Sequence, residues 1–230
     1  MTLGRESTLR TDYHEKLEEL RGDLVRMCDI VAAAMGKATT ALLEADRELA
    51  ESVIAGDSAI DLLTDTIEGH CTELLALQAP VGHDLRAVVG ALRISASLER
   101  MGDLAEHVAK QARLRYPKHV VPPELTPVFA DMGRMGELIA RKAGEVIDSQ
   151  DLTKGSEVEA IDSEVDALHA DLFVTLQDAA WPHGNETIVD LTLLSRYFER
   201  FADHAVSITR RVVTVTTGEP YVGVRLDDAR

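Results

Sequence analysis

The sequence contains two copies of one short motif, Leu98-Glu99-Arg100-Met101-Gly102-Asp103 and Phe198-Glu199-Arg200-Phe201-Ala202-Asp203. In each copy a Glu and an Asp stand four residues apart, so on an α-helix their side chains are neighbours on one face. Two neighbouring negative charges weaken a helix by about 0.2–0.5 kcal/mol. Because the chain repeats this unfavourable arrangement at matched positions, we interpret both pairs as ligands for a cation.

A second acidic pair with the same spacing precedes each motif. Asp57 and Asp61 in the first half correspond to Asp162 and Asp166 in the second half, at a constant offset of 105 residues. The motifs themselves are offset by 100 residues, so we expect five fewer residues in the second interhelical turn, around Trp181–Gly184. A duplication of this length is typical of a repeated domain, and solenoid repeats are shorter, at about 20–50 residues.

The apolar residues of each half recur at alternating spacings of three and four, which is typical of helices packed in a bundle. The sequence therefore predicts an all-α fold of two tandem, pseudo-equivalent three-helix bundles. The predicted boundaries are 8–116 for the first bundle, 117–123 for a Pro-rich linker, 124–217 for the second bundle and 218–230 for a C-terminal tail.

Turn and capping residues predict where the helices of the first half begin and end. The predicted helices cover residues 8–45, 46–54, 57–79 and 84–116. Asp46 is expected to cap the short helix that follows it, and Ala55-Gly56 is expected to break the chain before the next one. Near the end of the second half, helical periodicity fades from Thr214.

Composition and charge exclude several classes of function. A formal net charge of −16, from 40 Asp and Glu against 24 Lys and Arg, opposes binding to nucleic acid or to an anionic membrane. No apolar run approaches the roughly 18 residues of a membrane span, and residues 1–6 lack the apolar core of a secretion signal. We therefore predict a soluble cytoplasmic protein, in which Cys28 and Cys71 are buried free thiols.

If the two acidic pairs of each half lie on neighbouring helices, four carboxylates converge in each half. The candidate metal ligands are Asp57, Asp61, Glu99 and Asp103 in the first half, and Asp162, Asp166, Glu199 and Asp203 in the second. Such oxygen-rich clusters suit hard or borderline cations such as Mg, Mn or Fe, and bridging carboxylates allow more than one ion. The competing interpretation is a solvated acidic helix face. Glu68, His107 and His169 are weaker candidates for the same sites.

Two other functions are compatible with these residues. A ferritin-like di-metal oxidoreductase requires Glu-x-x-His on two helices of one bundle, and this chain offers only Asp166-x-x-His169. A helical scaffold without metal is the third possibility. Arg100 and Arg200 either pair with neighbouring carboxylates or face a partner. No catalytic triad and no Gly-rich phosphate loop is present in the sequence, so no catalytic residue is predicted.

Taken together, three sequence features resemble the PhoU family over roughly residues 10–217. They are the duplicated Glu-Arg-x-Gly/Ala-Asp motif, the turn Gln78-Ala79-Pro80-Val81-x-x-Asp84-Leu85-Arg86, and the opening Asp57-x-x-Ile-Asp61. The stretches Thr11–His14 and Ala112–Pro117 resemble the actinobacterial members most. The second half departs from the pattern, because Ala202 replaces the usual Gly and the Gln-Pro-Val turn is missing.

The resemblance implies metal clusters held by the Glu/Asp-x-x-x-Asp motifs. The expected metals are Fe, Mn, Zn or Mg, and bridging carboxylates allow a multinuclear cluster. It implies a cytoplasmic, non-enzymatic negative regulator of phosphate uptake and phosphate-starvation signalling. The expected partners are the ATPase of the phosphate ABC transporter and the phosphate-sensing histidine kinase, with contact to the membrane only through those partners. A homodimer is also expected.

Overall fold

A computed structural model describes the backbone of residues 2–219 and the side chains of residues 13–76 and 79–219. Its six helices are α1 (Thr2–Glu44), α2 (Arg47–Gln78), α3 (Gly82–Arg115), α4 (Thr126–Ser149), α5 (Gly155–Leu176) and α6 (Gly184–Thr217). Short 3-10 helices at Pro123–Leu125 and Leu152–Lys154 precede α4 and α5. Since no strand occurs in residues 2–219, the predicted all-α class is confirmed.

The break predicted at Ala55-Gly56 is wrong, because α2 runs through it without interruption. Asp46 does cap this helix, and its carboxylate accepts a hydrogen bond from the Leu49 amide at 2.9 Å. Val53, Ile60 and Ile67 are buried on one face of α2, so a continuous helix keeps all three in the core. A Gly inside a helix costs only about 1 kcal/mol relative to Ala, which this burial outweighs.

Three helix ends also differ from the predicted ones. Helix α1 begins at Thr2, earlier than the predicted residue 8, and α4 begins at Thr126 after a 3-10 turn. Helix α6 continues past Thr214 to Thr217 and ends at Gly218, whose φ of 79° is left-handed. Val215 is still buried there, which explains why the helix persists. Of the predicted tail, residues 220–230 lie outside the described part of the chain.

The helices form two bundles, α1–α3 and α4–α6, which pack side by side. Helix α1 lies against α4 and α3 against α6, so both bundles contribute to one continuous hydrophobic core. The predicted pair of tandem bundles is therefore confirmed. At the α1–α4 contact, a Cβ on Gly133 would lie only 2.3 Å from Thr39, so this close approach depends on glycine.

Helices α3 and α6 run antiparallel, with an ion pair at one end of their contact and a hydrogen bond to a backbone carbonyl at the other. At the end of α3, Arg115 holds Asp190 near the start of α6 through two bonds, Nε to Oδ2 at 2.7 Å and Nη2 to Oδ1 at 3.0 Å. At the start of α3, the Arg86 Nε donates to the Val215 carbonyl near the end of α6 at 3.2 Å. Asp190 is buried, so Arg115 is its main compensation.

Replacing Arg115 by Gln is expected to lower the free energy of unfolding by about 2 kcal/mol, because a buried carboxylate loses its bidentate partner. Urea unfolding followed by circular dichroism measures this. The exposed Arg113→Gln on the same helix is the matched control and should change stability little. The double variant Arg115→Gln/Asp190→Asn should regain part of the loss. Equal stability of the Arg115 and Arg113 variants would contradict the prediction.

Candidate metal centres

The four acidic pairs lie on two pairs of packed helices, α2 with α3 and α5 with α6. Gly102 of the first motif brings α3 close to α2. A Cβ at this position would lie 2.7 Å from Ile60 Cδ1 and 3.3 Å from Asp57 Oδ1. The corresponding Ala202 is buried in the second half, so the α5–α6 contact accommodates a methyl group. This explains how the second motif carries Ala where the first carries Gly.

In the first half, Asp57 lies among other carboxylates. The pKa of Asp57 is raised to about 6, first by burial and then by the charges of Glu106, Asp61 and Asp103, while the charge of Lys110 opposes the increase. Three of the four predicted residues therefore share one environment. Glu99 is half-buried and is not among the charges that shift the pKa of Asp57. We define the first cluster as Asp57, Asp61, Asp103 and Glu106.

Sequence reasoning missed Glu106. Its carboxylate is only 14% exposed and is paired with Lys110. Since residues three and four apart share a helix face, Glu106 continues the line of Glu99 and Asp103 along α3. Its counterpart in the second half is Val206, so a comparison of the two halves could not reveal it. The three-residue spacing after Asp103 was the available signal.

In the second half, all four predicted carboxylates influence one another, and we call them the second cluster. The pKa of Asp162 is raised to about 6, first by burial and then by the charges of Asp166, Asp203 and Glu199, while the charge of Arg210 opposes the increase. The pKa values of Asp166 and Glu199 are also raised, first by burial and then by the charge of Asp203. Helices α5 and α6 thus hold four mutually repelling acids together.

Two oxygens of the second cluster are buried without a hydrogen-bond partner among the described residues, Asp162 Oδ1 and Glu199 Oε2. The other oxygen of Glu199 accepts from Arg196. A buried, unpaired polar oxygen costs about 1–3 kcal/mol, and more when it is charged. Cation binding would satisfy an oxygen of this kind, and an all-oxygen donor set fits Mg, Mn or Fe. The second cluster therefore fits a metal ion chemically.

The carboxylates are neighbours, yet they do not surround a common point. Across the described side chains, no three His, Cys, Asp or Glu groups are arranged to hold one metal ion. Instead, arginines contact two of the acids. The Arg100 Nη1 donates to Asp103 Oδ2 at 2.9 Å, and Arg196 is paired with Glu199. Metal binding at both clusters remains a proposal.

The two histidines considered as ligands have other contacts. The His169 Nδ1 lies 3.0 Å from Ser195 Oγ, and its ring packs edge-on against Phe173 with centroids 4.8 Å apart. His107 contacts the backbone carbonyl of Asp103 on its own helix, and its ring lies 5.3 Å from that of Tyr197. These contacts do not support a role for either histidine as the metal ligand of a Glu-x-x-His motif in a di-metal oxidoreductase.

The remaining sequence candidates are structural. Glu68 is exposed on α2, and its charge adds to the effect of burial in raising the pKa of Cys71 to about 11. Burial likewise raises the pKa of Cys28 to about 12. Both cysteines are free and buried, as predicted. At these pKa values neither is a reactive thiolate.

The raised pKa of Asp57 predicts a pH dependence for the protein in chelator. Its pKa is about 6 in the fold against an ordinary value of 3.8, so the folded state holds the proton more tightly than the unfolded chain. Protonation therefore stabilises the fold, and this stabilisation is lost as the pH rises through about 6. Asp57→Asn should unfold at a higher temperature than the wild type at about pH 7, with the gain shrinking towards about pH 4.

Thermal unfolding of both proteins across this pH range measures the gain. Asp65→Asn, an exposed position on the same helix, is the matched control and should show no such pH-dependent difference. A gain for Asp57→Asn that stayed constant with pH would contradict the origin of the effect in the titration of this carboxylate.

Comparison with known proteins identifies the family to which this duplicated helical fold belongs. The model of the PhoU domain matches the chain twice, over residues 24–112 and 129–212. These matches span most of the chain, one in each bundle. The chain therefore belongs to the PhoU family, as the sequence motifs predicted.

Three relatives are named as accessory proteins of the phosphate-specific transport system. PhoU homolog 2 of Mycobacterium tuberculosis is 48% identical over 210 residues, covering 91% of this chain and 99% of the relative. PhoU homolog 1 of Mycobacterium leprae is 47% identical, covering 91% of this chain and 95% of the relative. A PhoU homolog of Caulobacter vibrioides is less similar, at 32% identity. The predicted resemblance to actinobacterial members is confirmed.

Crystal structures of PhoU proteins share the fold. PhoU from Pseudomonas aeruginosa superposes with a TM-score of 0.82 at 25% identity, covering 90% of this chain and 100% of that one. The phosphate transport system regulatory protein PhoU from Streptococcus pneumoniae gives a TM-score of 0.81 at 26% identity, with 91% and 99% covered. Within residues 2–219, none of the helices combines the length and apolarity needed to span a membrane.

Proposed function

We propose that this chain is an accessory protein of phosphate transport that regulates phosphate uptake and phosphate-starvation signalling. Family membership supports this, since relatives at 47–48% identity are named as accessory proteins of the phosphate-specific transport system. The chain acts by binding partner proteins, and no catalytic step is required. Its partners are the transporter ATPase and the phosphate-sensing histidine kinase, both reached from the cytoplasm, and it restrains the starvation response when phosphate is plentiful.

The proposal includes metal ions at the two carboxylate clusters. The observation that carries it is the pair of buried, unpaired oxygens on Asp162 and Glu199. Fe, Mn, Zn or Mg would supply positive charge there and offset the repulsion between the acids. Asp162 and Asp166 would bind from α5, and Glu199 and Asp203 from α6. With its acids neutralised, each helix pair presents partners with a preformed surface, and a homodimer presents two copies of it.

A pull-down tests the adaptor role directly. The wild-type protein is immobilised and presented with the purified transporter ATPase or with the cytoplasmic part of the sensor kinase, each with and without phosphate. Both partners are expected to bind, with at least one interaction changing when phosphate is added. Retention of neither partner under any of these conditions would overturn the adaptor role.

Variants in the same pull-down test the part played by the second cluster. Asp162→Asn/Glu199→Gln removes two cluster charges and is expected to weaken partner binding. Glu164→Gln/Asp171→Asn is the matched control, since it removes one Glu and one Asp from exposed positions of α5. Equal binding by both double variants would show that the cluster is not needed for partner recognition.

A further inference from the structure

The arginines of the two motifs lie where the two bundles meet. The contacts at the two ends of the antiparallel α3–α6 pair set a register in which Arg100 of α3 lies opposite the turn of α6 that carries Arg200 and His204. Burial lowers the pKa of His204, and the charges of Arg200 and Arg100 lower it further, while the charge of Asp203 opposes them. Asp103 of the first motif belongs to the first cluster, and Glu199 and Asp203 of the second motif belong to the second cluster. Each motif therefore contributes acids to a cluster and an arginine to the contact between α3 and α6.

A second pair of cations continues this line. Arg93 lies seven residues before Arg100, and Arg211 lies seven residues after His204. The same register places Arg93 opposite Arg211, and a Cβ on Gly90, three residues before Arg93, would lie 4.0 Å from Arg211 Cγ. In agreement, burial and then the charge of Arg93 lower the pKa of Arg211. Seven residues of helix span about 10 Å. We call these five residues, Arg93, Arg100, Arg200, His204 and Arg211, the arginine seam.

Most of the seam has no anionic partner within the molecule. Arg100 is paired with Asp103, whereas Arg93, Arg200 and Arg211 form no ion pair with any described residue. Acids are abundant in a chain with 40 Asp and Glu, and arginines elsewhere, such as Arg115 and Arg141, are paired. The guanidinium groups of Arg93, Arg200 and Arg211 therefore lack a counter-charge within the described residues, and an anion from outside would offset their mutual repulsion.

The surroundings of the seam resemble a protein interface. Val89 on α3 is 37% exposed and Leu193 on α6 is 42% exposed. Each is within about 40° of the seam cations around its own helix, at roughly 100° per residue. Tyr197 lies on the same face of α6 and contacts His107 of α3. Arginine and aromatic side chains beside exposed apolar groups are typical of protein–protein contact sites.

We propose that the arginine seam binds an acidic segment of a partner protein. One small anion reaches only one pair of cations, because successive pairs are about 10 Å apart. Carboxylates at seven-residue intervals on a partner helix match that spacing, and arginine binds each carboxylate through two parallel hydrogen bonds. The proposal deepens the adaptor role proposed above and rests on it, because it states the chemistry by which one partner is recognised.

Fluorescence anisotropy with the full chain in chelator tests the proposal. The probe is a labelled helical peptide with glutamates at seven-residue intervals, and its glutamine counterpart is the control peptide. The glutamate peptide is expected to bind, with affinity falling as salt is added. Arg93→Gln/Arg211→Gln and the single variant Arg200→Gln avoid Arg100, which contacts a candidate metal ligand. The double variant is expected to bind about tenfold more weakly, since it loses two exposed ion pairs.

The matched control is Arg113→Gln/Arg134→Gln, which removes two exposed arginines from outside the seam and should keep wild-type affinity. Equal weakening in the control would mean nonspecific charge attraction and would overturn the proposal, as would absence of binding. Inorganic phosphate that displaced the peptide better than chloride at equal ionic strength would overturn it in favour of a small-oxyanion site. The assay contains no metal, ATPase or kinase, so its failure and a failed pull-down are distinguishable.

Discussion

The metal-free protein is expected to unfold at a higher temperature once Mn²⁺ or Fe²⁺ is added, and Asp162→Asn/Glu199→Gln should lose the part of this gain that belongs to the second half. A ligand that binds only the folded state stabilises it by about 2.7 kcal/mol at a free concentration of 100 times its Kd. In chelator, the same double variant should be at least as stable as the wild type. It removes the repelling charges, so the side-chain atoms that replace the two unpaired carboxylate oxygens belong to neutral amides, which cost less to bury.

Thermal unfolding with chelator and with added metal separates these effects. Asp57→Asn/Asp103→Asn removes two carboxylates of the first cluster and should leave the stabilisation of the second half intact. Glu164→Gln/Asp171→Asn, outside the clusters, should respond to metal like the wild type. Metal-induced stabilisation of equal size in the wild type and in Asp162→Asn/Glu199→Gln would show that these two carboxylates are not ligands.

Replacing Phe198 by Ala is expected to lower the free energy of unfolding by about 3–5 kcal/mol. Phe198 opens the second motif and is 1% exposed. Its ring packs edge-on against that of Phe129 on α4, with centroids 6.2 Å apart. The core is otherwise poor in aromatics, which make up 4% of the chain, so aliphatic neighbours cannot fill the cavity without shifting helix α6.

Urea unfolding measures the cost, and Leu193→Ala on the same helix is the control. Leu193 is half-exposed, and its truncation should cost less than about 1 kcal/mol. Similar losses for the two variants would mean that the Phe198 site collapses after truncation. The comparison also tests the second motif, because Phe198 holds α6 in the core and thereby orients Glu199, the next residue along the helix.

The duplication made much of the fold predictable from sequence. A repeat offset of 105 residues pairs Asp57 with Asp162, and the periodic apolar residues predict helices wherever they continue. Local capping chemistry was also predictable, as Asp46 shows at the start of α2. The helix break predicted at Gly56 was wrong because the low helix propensity of glycine is a local property. The burial of Val53 and Ile60 on either side of it is decided by tertiary packing.

The site was predictable only in part, for a related reason. Spacing on one helix places Glu199 beside Asp203, but the burial that leaves one oxygen of Glu199 unpaired depends on how α5 covers α6. The sequence pattern also gave the second half the weaker match, yet that half holds all four predicted acids in one cluster. Glu106 was missed because its partners, Asp57 and Lys110, are recognisable only once α2 and α3 are packed together.

The ion pair between Arg100 and Asp103 connects the first cluster to the arginine seam through a single contact of 2.9 Å. Asp103 cannot give its charge fully to a cation and to this guanidinium at the same time. If the proposed cation binds Asp103, it would release Arg100 towards the seam, where the proposed acidic segment would bind it. By thermodynamic linkage the effect would be reciprocal, so a partner that binds Arg100 would tighten cation binding by the same factor. One helical turn of α3 would then make occupancy of the two surfaces cooperative.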